Sequence, residues 1–149
     1  VYIIEPIPKF YNGMVSKFSS NSKVNLLDVG ISNEDKDGVI YMNGDGTSTN
    51  LASGDVVDVK FNTMETLLKK WDLDSVDLLQ INIEGDEYAL LENMIECGVI
   101  NKFKNIQIQF HTGIENDIKR REKICKGLIK NGFKNKFNYP FVWEGWTKN

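Results

Sequence analysis

A chain of 149 residues, 41% apolar and 26% charged, has the size and composition of one globular domain with a continuous core. No apolar run approaches the ~20 residues of a membrane span, and no secretory signal is visible. Net charge is only −3 but unevenly spread: residues 1–101 hold 7 basic and 17 acidic side chains, residues 102–149 hold 11 and 4.

Residues 1–4 read as a short apolar strand ending at Glu5-Pro6. Pro8 suits the first turn of a helix whose stripe is Phe10, Met14 and Phe18, closed by Ser19-Ser20-Asn21-Ser22. Residues 24–29 form a second strand, reaching Gly30-Ile31-Ser32-Asn33. The acidic turn 33–38 then leads into a third strand at 39–42. Residues 43–50 are a small polar loop, readable as a substrate lid or as a flexible hairpin connection. Residues 55–61 alternate Val56, Asp58 and Lys60 with Val57, Val59 and Phe61, the period-2 signature of a strand with two different faces. Thr63 caps the next helix, with Thr66 where a capping box would have an acid, over a stripe of Met64, Leu67, Leu68 and Trp71.

Residues 76–83 have the apolar content of a strand buried on both faces, and a helix over 86–97 follows, stopped by Gly98. Residues 103–110 form another strand, ending at His111. Ile114, Ile118, Cys125, Leu128 and Ile129 supply the inner face of a long basic helix that Gly132 ends. The closing strands, 133–137 and 141–146, have no helix between them and are expected to form an antiparallel hairpin on the sheet edge. Alternating strands and helices predict a single α/β domain, residues 1–149, with a largely parallel sheet.

In an open α/β sheet ligands sit at the carboxyl ends of the strands. The strand at 76–83 stops there at Glu84-Gly85-Asp86-Glu87, three carboxylates within four residues that a buried strand does not need. His111, the single histidine, ends the neighbouring strand and projects from the same rim. Glu84 and His111 are therefore the candidates for a general base, against the plainer reading of His111 as a hydrogen-bonded strand-end histidine. Glu87 reads either as part of this group or as an acid favoured at a helix N-terminus. The acidic cluster could also bind a divalent cation through oxygen. Glu5, an acid after an apolar strand and before Pro-x-Pro, is placed to accept hydrogen bonds from the two hydroxyls of a ribose.

Glu5-Pro6-x-Pro8, Val29-Gly30-Ile31-Ser32-Asn33 and Asp77-x-Leu79-x-Ile81-Asn82-Ile83-Glu84-Gly85-x-Glu87-Tyr88 together resemble the FkbM-type S-adenosylmethionine-dependent methyltransferases. The small polar Gly46-Thr47-Ser48-Thr49 loop and Tyr139-Pro140-x-Val142-Trp143-Glu144-x-Trp146 are similar to that family too. The resemblance implies a Rossmann-like methyltransferase sheet and O-methylation of a hydroxyl on a small molecule or carbohydrate. It implies S-adenosylmethionine as cofactor, Glu5 at its ribose, Ile31 and Ser32 bordering its adenine, Asn82 beside the cofactor, and no metal. Family members carry Asp where this chain has Asn82, whose amide can orient a hydroxyl or an amine but cannot act as a base. The family's central first strand and glycine-rich turn would precede Val1, so a gap is expected between the strands ending at Glu5 and Glu84.

A truncated, non-catalytic remnant that acts as a binding or assembly module, filling that gap by pairing with another chain, is the alternative. Cys97 and Cys125 both fall in helical patterns and are expected reduced and buried, which places the chain in the cytoplasm. Expected partners are a small-molecule or carbohydrate acceptor and a further copy of the chain, with no membrane. The basic C-terminal third lacks interleaved aromatic stacking positions, which argues against nucleic acid.

Overall fold

The computed structural model describes residues 1–43, 46–48 and 55–148. β1 (Tyr2–Ile4) is followed by α1 (Pro8–Phe18), which starts with the expected proline, and then by β2 (Asn25–Leu27), parallel to β1. The predicted strand 24–29 stops at Leu27, and Gly30–Ile31 becomes β3 in another sheet. β4 (Lys36–Asn43) runs antiparallel to β5 (Gly46–Ser48) and to β6 (Asp55–Asn62), and β6 is parallel to β3. The predicted acidic turn at 33–38 is therefore shorter, because Lys36, Asp37 and Gly38 already pair with β6. Part of the predicted loop 43–50 lies outside the described residues.

α2 (Met64–Lys70) begins at Thr63, whose hydroxyl accepts the Thr66 N–H at 3.2 Å. Asp35, 28 residues back, accepts the Thr63 N–H at 2.6 Å and the Thr66 hydroxyl at 2.7 Å. These bonds, the Thr66 hydroxyl first, hold the Asp35 carboxyl below its ordinary range. β7 (Val76–Ile81), α3 (Glu87–Glu96), β8 (Phe103–Ile108), α4 (Asp117–Lys130), β9 (Phe133–Tyr139) and β10 (Trp143–Lys148) complete the chain, with a short 3₁₀ turn at Val99–Lys102. Gly98, at φ +78°, ends α3 in the left-handed region as a helix stop requires.

The described residues form an α/β fold of four α-helices and mixed sheets. The expectation of one largely parallel sheet is corrected. Among the described residues there are three sheets, β1-β2, β3-β6-β4-β5 and β7-β8-β10-β9, and only the pairs β1/β2, β3/β6 and β7/β8 are parallel. The closing hairpin is antiparallel as expected, but β10 inserts between β8 and β9, so of the hairpin's two strands β9 alone is at the sheet edge. Pairing on both sides satisfies the β10 backbone, and β9 carries Lys134 and Lys136 along the exposed border.

Leu79, Ile81, Ile106, Ile108 and Trp146 share one face of the four-stranded sheet and pack with Leu90, Leu91 and Met94 of α3 and Ile124 and Leu128 of α4. A second cluster, Ile7, Ile40, Val59 and Phe61, lies at the sheet that holds β4 and β6. The inner face of α4 differs from the expected stripe: Ile118 and Ile129 are both 61% exposed. The buried pair is Ile124 and Leu128, four residues apart on one face. Both cysteines are free, but Cys97 is exposed rather than buried. Burial and the neighbouring Glu144 push the Cys125 thiol up to about 11. No helix among the described residues is long and apolar enough to cross a membrane.

Candidate active site

β7 delivers its last paired residue, Ile81, to the rim, and the backbone then turns sharply. Glu84 sits at φ +52° and Gly85 at φ +110°, two successive residues in positive φ. Such a conformation costs a side-chain-bearing residue energy, and strain of this kind gathers at functional sites. The turn brings Glu84 Oε1 to 3.5 Å from His111 Nε2, at the end of the neighbouring strand segment. The two residues singled out as bases are thus adjacent.

At the other ring nitrogen of His111 lies a residue whose part in the group the sequence does not show. Glu87, the first residue of α3, has a completely buried side chain. Its Oε2 accepts the Gly85 N–H at 2.9 Å, and its Oε1 accepts the His111 N–H at 2.7 Å. The same Oε1 is 3.2 Å from His111 Nδ1. Tyr88 donates its hydroxyl to the His111 carbonyl at 2.7 Å. Burial, followed by the charge of Glu87, raises the Tyr88 phenol, which keeps it a donor. His111 is therefore held at its amide, its carbonyl and one ring nitrogen. The helix-terminus reading of Glu87 explains its place in the chain; its carboxylate is spent on Gly85 and His111.

A cavity of about 230 Å³ opens in front of this group. Ile4 at the end of β1, Glu5 and Pro6 after it, Gly30 and Ile31 of β3, and Asn82, Ile83, Glu84 and Asp86 after β7 form its wall with Phe10, Ile40 and Phe61. Four of the expected site residues, Glu5, Ile31, Asn82 and Glu84, thus face one space although they come from three separate sheets. Ser32 does not: it is buried outside the wall, with its N–H on Asn62 O and its hydroxyl on Asn33 at 3.1 Å. His111 stands behind Glu84 rather than in the wall.

Glu5 Oε1 accepts the Ile7 N–H at 2.8 Å. Burial raises the Glu5 carboxyl, and the Ile7 bond partly offsets this. Among the described residues the wall has a polar half of Glu5, Asn82, Glu84 and Asp86 and an apolar half of Phe10, Ile31, Ile40 and Phe61, with no Lys or Arg. Such a cavity suits a ligand with a cationic or hydroxyl-bearing end and a flat apolar end. Among the described residues no group of three His, Cys, Asp or Glu is arranged to hold a metal ion. Phe10, Ile40 and Phe61 joined the wall without a sequence signal, because the contact between their elements is set by the sheets. No family model, curated protein or solved structure matches the chain.

Proposed function

We propose that this chain is a methyltransferase domain of the FkbM type, using S-adenosylmethionine to methylate a hydroxyl of a small molecule or carbohydrate. The observation that carries the reading is the convergence of Glu5, Ile31, Asn82 and Glu84 on one cavity. The residues fit parts of that cofactor. Glu5 offers carboxylate oxygen to ribose hydroxyls, Ile31 and Phe10 offer apolar surface to adenine, and the acidic wall complements a sulfonium and an ammonium. At about 230 Å³ the enclosed space is smaller than the ~300 Å³ at which ligand pockets usually begin, so these residues account for part of a cofactor cavity.

When bound, the cofactor supplies an electrophilic methyl group. The chain's part is to orient the acceptor and take its proton. Glu84 is in the cavity wall, where its carboxylate can accept a proton from a hydroxyl, and His111 Nε2 lies 3.5 Å behind it. Asn82 can hold an amine or hydroxyl in place but cannot accept the proton. Calorimetric titration of the intact protein with S-adenosylhomocysteine tests the reading: micromolar binding is expected, and no binding removes it. Glu84→Gln should then retain that binding and lose at least about 100-fold in turnover; unchanged turnover takes Glu84 out of the mechanism.

One observation favours a second reading, a binding or assembly module. β1 and β7, whose carboxyl ends both border the cavity, belong to different sheets among the described residues. Each pairs along only one side, with β2 and β8 respectively, and open strand edges invite pairing with another chain. Light scattering after size exclusion separates the readings: a stable oligomer without cofactor binding supports assembly, and a cofactor-binding monomer excludes it.

A further inference from the structure

We infer that Glu87 is a positioning residue that selects the tautomer of His111, fixing the proton on Nδ1 and turning the Nε2 lone pair to the rim beside Glu84. The argument is one of donors and acceptors. A carboxylate only accepts hydrogen bonds, whereas each nitrogen of neutral imidazole is either donor or acceptor. Two carboxylates compete for the one ring hydrogen of neutral His111: Glu87 Oε1, fully buried and 3.2 Å from Nδ1, and Glu84 Oε1, half-exposed and 3.5 Å from Nε2. The shorter, water-excluded contact is the stronger, so the hydrogen belongs to Nδ1. The ring has little freedom to present the other nitrogen. The His111 N–H is held by the same oxygen at 2.7 Å, and the His111 carbonyl is held by Tyr88 at 2.7 Å. Glu87 is itself immobilised: it is fully buried, its other oxygen takes the Gly85 N–H at 2.9 Å, and it opens the first turn of α3. Nε2 is consequently the nitrogen 3.5 Å from Glu84 Oε1.

Free imidazole of histidine favours the opposite tautomer, with the proton on Nε2. In that form a donor N–H would point at Glu84 and the rim would lose a proton acceptor. Glu87 thus acts through His111 and touches no ligand itself. In neutral His111 the Nε2 lone pair stands 3.5 Å from Glu84 Oε1, so a proton taken up by Glu84 has a second acceptor behind it. This consequence for turnover rests on the methyl-transfer reading; the tautomer does not.

His111 is the single histidine of the chain, so its ring nitrogens give one unambiguous set of signals. Long-range nitrogen–proton correlation spectra of the intact protein, labelled at histidine and recorded in alkaline solution, should show Nδ1 as the protonated, pyrrole-type nitrogen and Nε2 as pyridine-type. In Glu87→Ala the two types should exchange places. Wild-type protein with its proton on Nε2, or averaged between the nitrogens, overturns the inference; so does a folded Glu87→Ala that keeps Nδ1–H. Should Glu87→Ala not fold, the wild-type spectrum decides alone. In a protein that turns over, Glu87→Ala should lose about 100-fold in kcat with S-adenosylhomocysteine affinity unchanged. If wild-type protein binds no S-adenosylhomocysteine, the methyl-transfer reading falls while the tautomer result stands.

Discussion

Glu84 bears a side chain at φ +52°, where L-residues other than glycine, asparagine and aspartate are rare. Left-handed backbone costs such a residue roughly 1–2 kcal/mol, against which glycine's extra unfolded-state freedom is worth about 0.5–1 kcal/mol. Glu84→Gly should accordingly raise the free energy of unfolding by about 0.5–1 kcal/mol while abolishing turnover. Urea denaturation read alongside an activity assay checks this, and a loss of stability would show that the backbone here is unstrained. Glu84 and His111 were legible because strand-end acids and a lone histidine are visible in a linear pattern. The left-handed turn was not, since nothing in Ile83-Glu84-Gly85 states which of two neighbours takes positive φ, and both do. Glu87 was legible as a helix-start acid but not as the holder of a histidine 24 residues away, because only the pairing of β7 with β8 brings them together.

At the scale of elements, two glycines show how strands carry aromatic rings. Gly30 of β3 lies directly beneath Phe61 of β6, and Gly145 of β10 beneath Phe137 of β9; a Cβ at either position would collide with the ring. The rings differ in freedom. Phe61 is 4% exposed and also faces Gly38, whereas Phe137 is 37% exposed and can swing outward. Gly30→Ala should cost about 2–3 kcal/mol of stability and Gly145→Ala about 1 kcal/mol, by the usual range for overpacking. Equal costs in chemical denaturation would contradict this difference in confinement. Most elements could be read from apolar period: α1, α3, β6 and β8 fall within a few residues of expectation. Misread boundaries have physical causes. Residues 24–29 read as one strand because both halves are apolar, yet Asp28 is exposed and divides β2 from β3. On α4 the expected Leu128 faces the core, but Ile124 joins it in place of Ile118 and Ile129, and the Arg121 side chain reaches across to β10.

Over the whole molecule, the uneven charge of the chain is partly resolved by pairing. Arg120 meets Glu92 of α3 through two nitrogens at 2.8 and 3.1 Å, and Arg121 meets Glu144 of β10 at 2.5 Å. Two cations of the basic stretch are thereby engaged within the fold, so the C-terminal third is less cationic at its surface than its composition suggests. Glu144 is 1% exposed, and an uncompensated buried carboxylate is costly. Arg121→Met should destabilise the protein by about 3–5 kcal/mol, while Arg121→Met combined with Glu144→Leu should return within about 1 kcal/mol of wild type. Thermal and urea unfolding of both variants checks this; a single variant as stable as the double one would show that the pair is not coupled. A last consequence follows from α1, which buries none of its eleven residues yet supplies Phe10 to the cavity wall. A helix so thinly anchored opens at low free-energy cost, so part of any occupant's binding energy goes into stilling it. Affinity at this cavity is therefore tied to local order: residues of α1 far from any contact with the ligand set how tightly it is held.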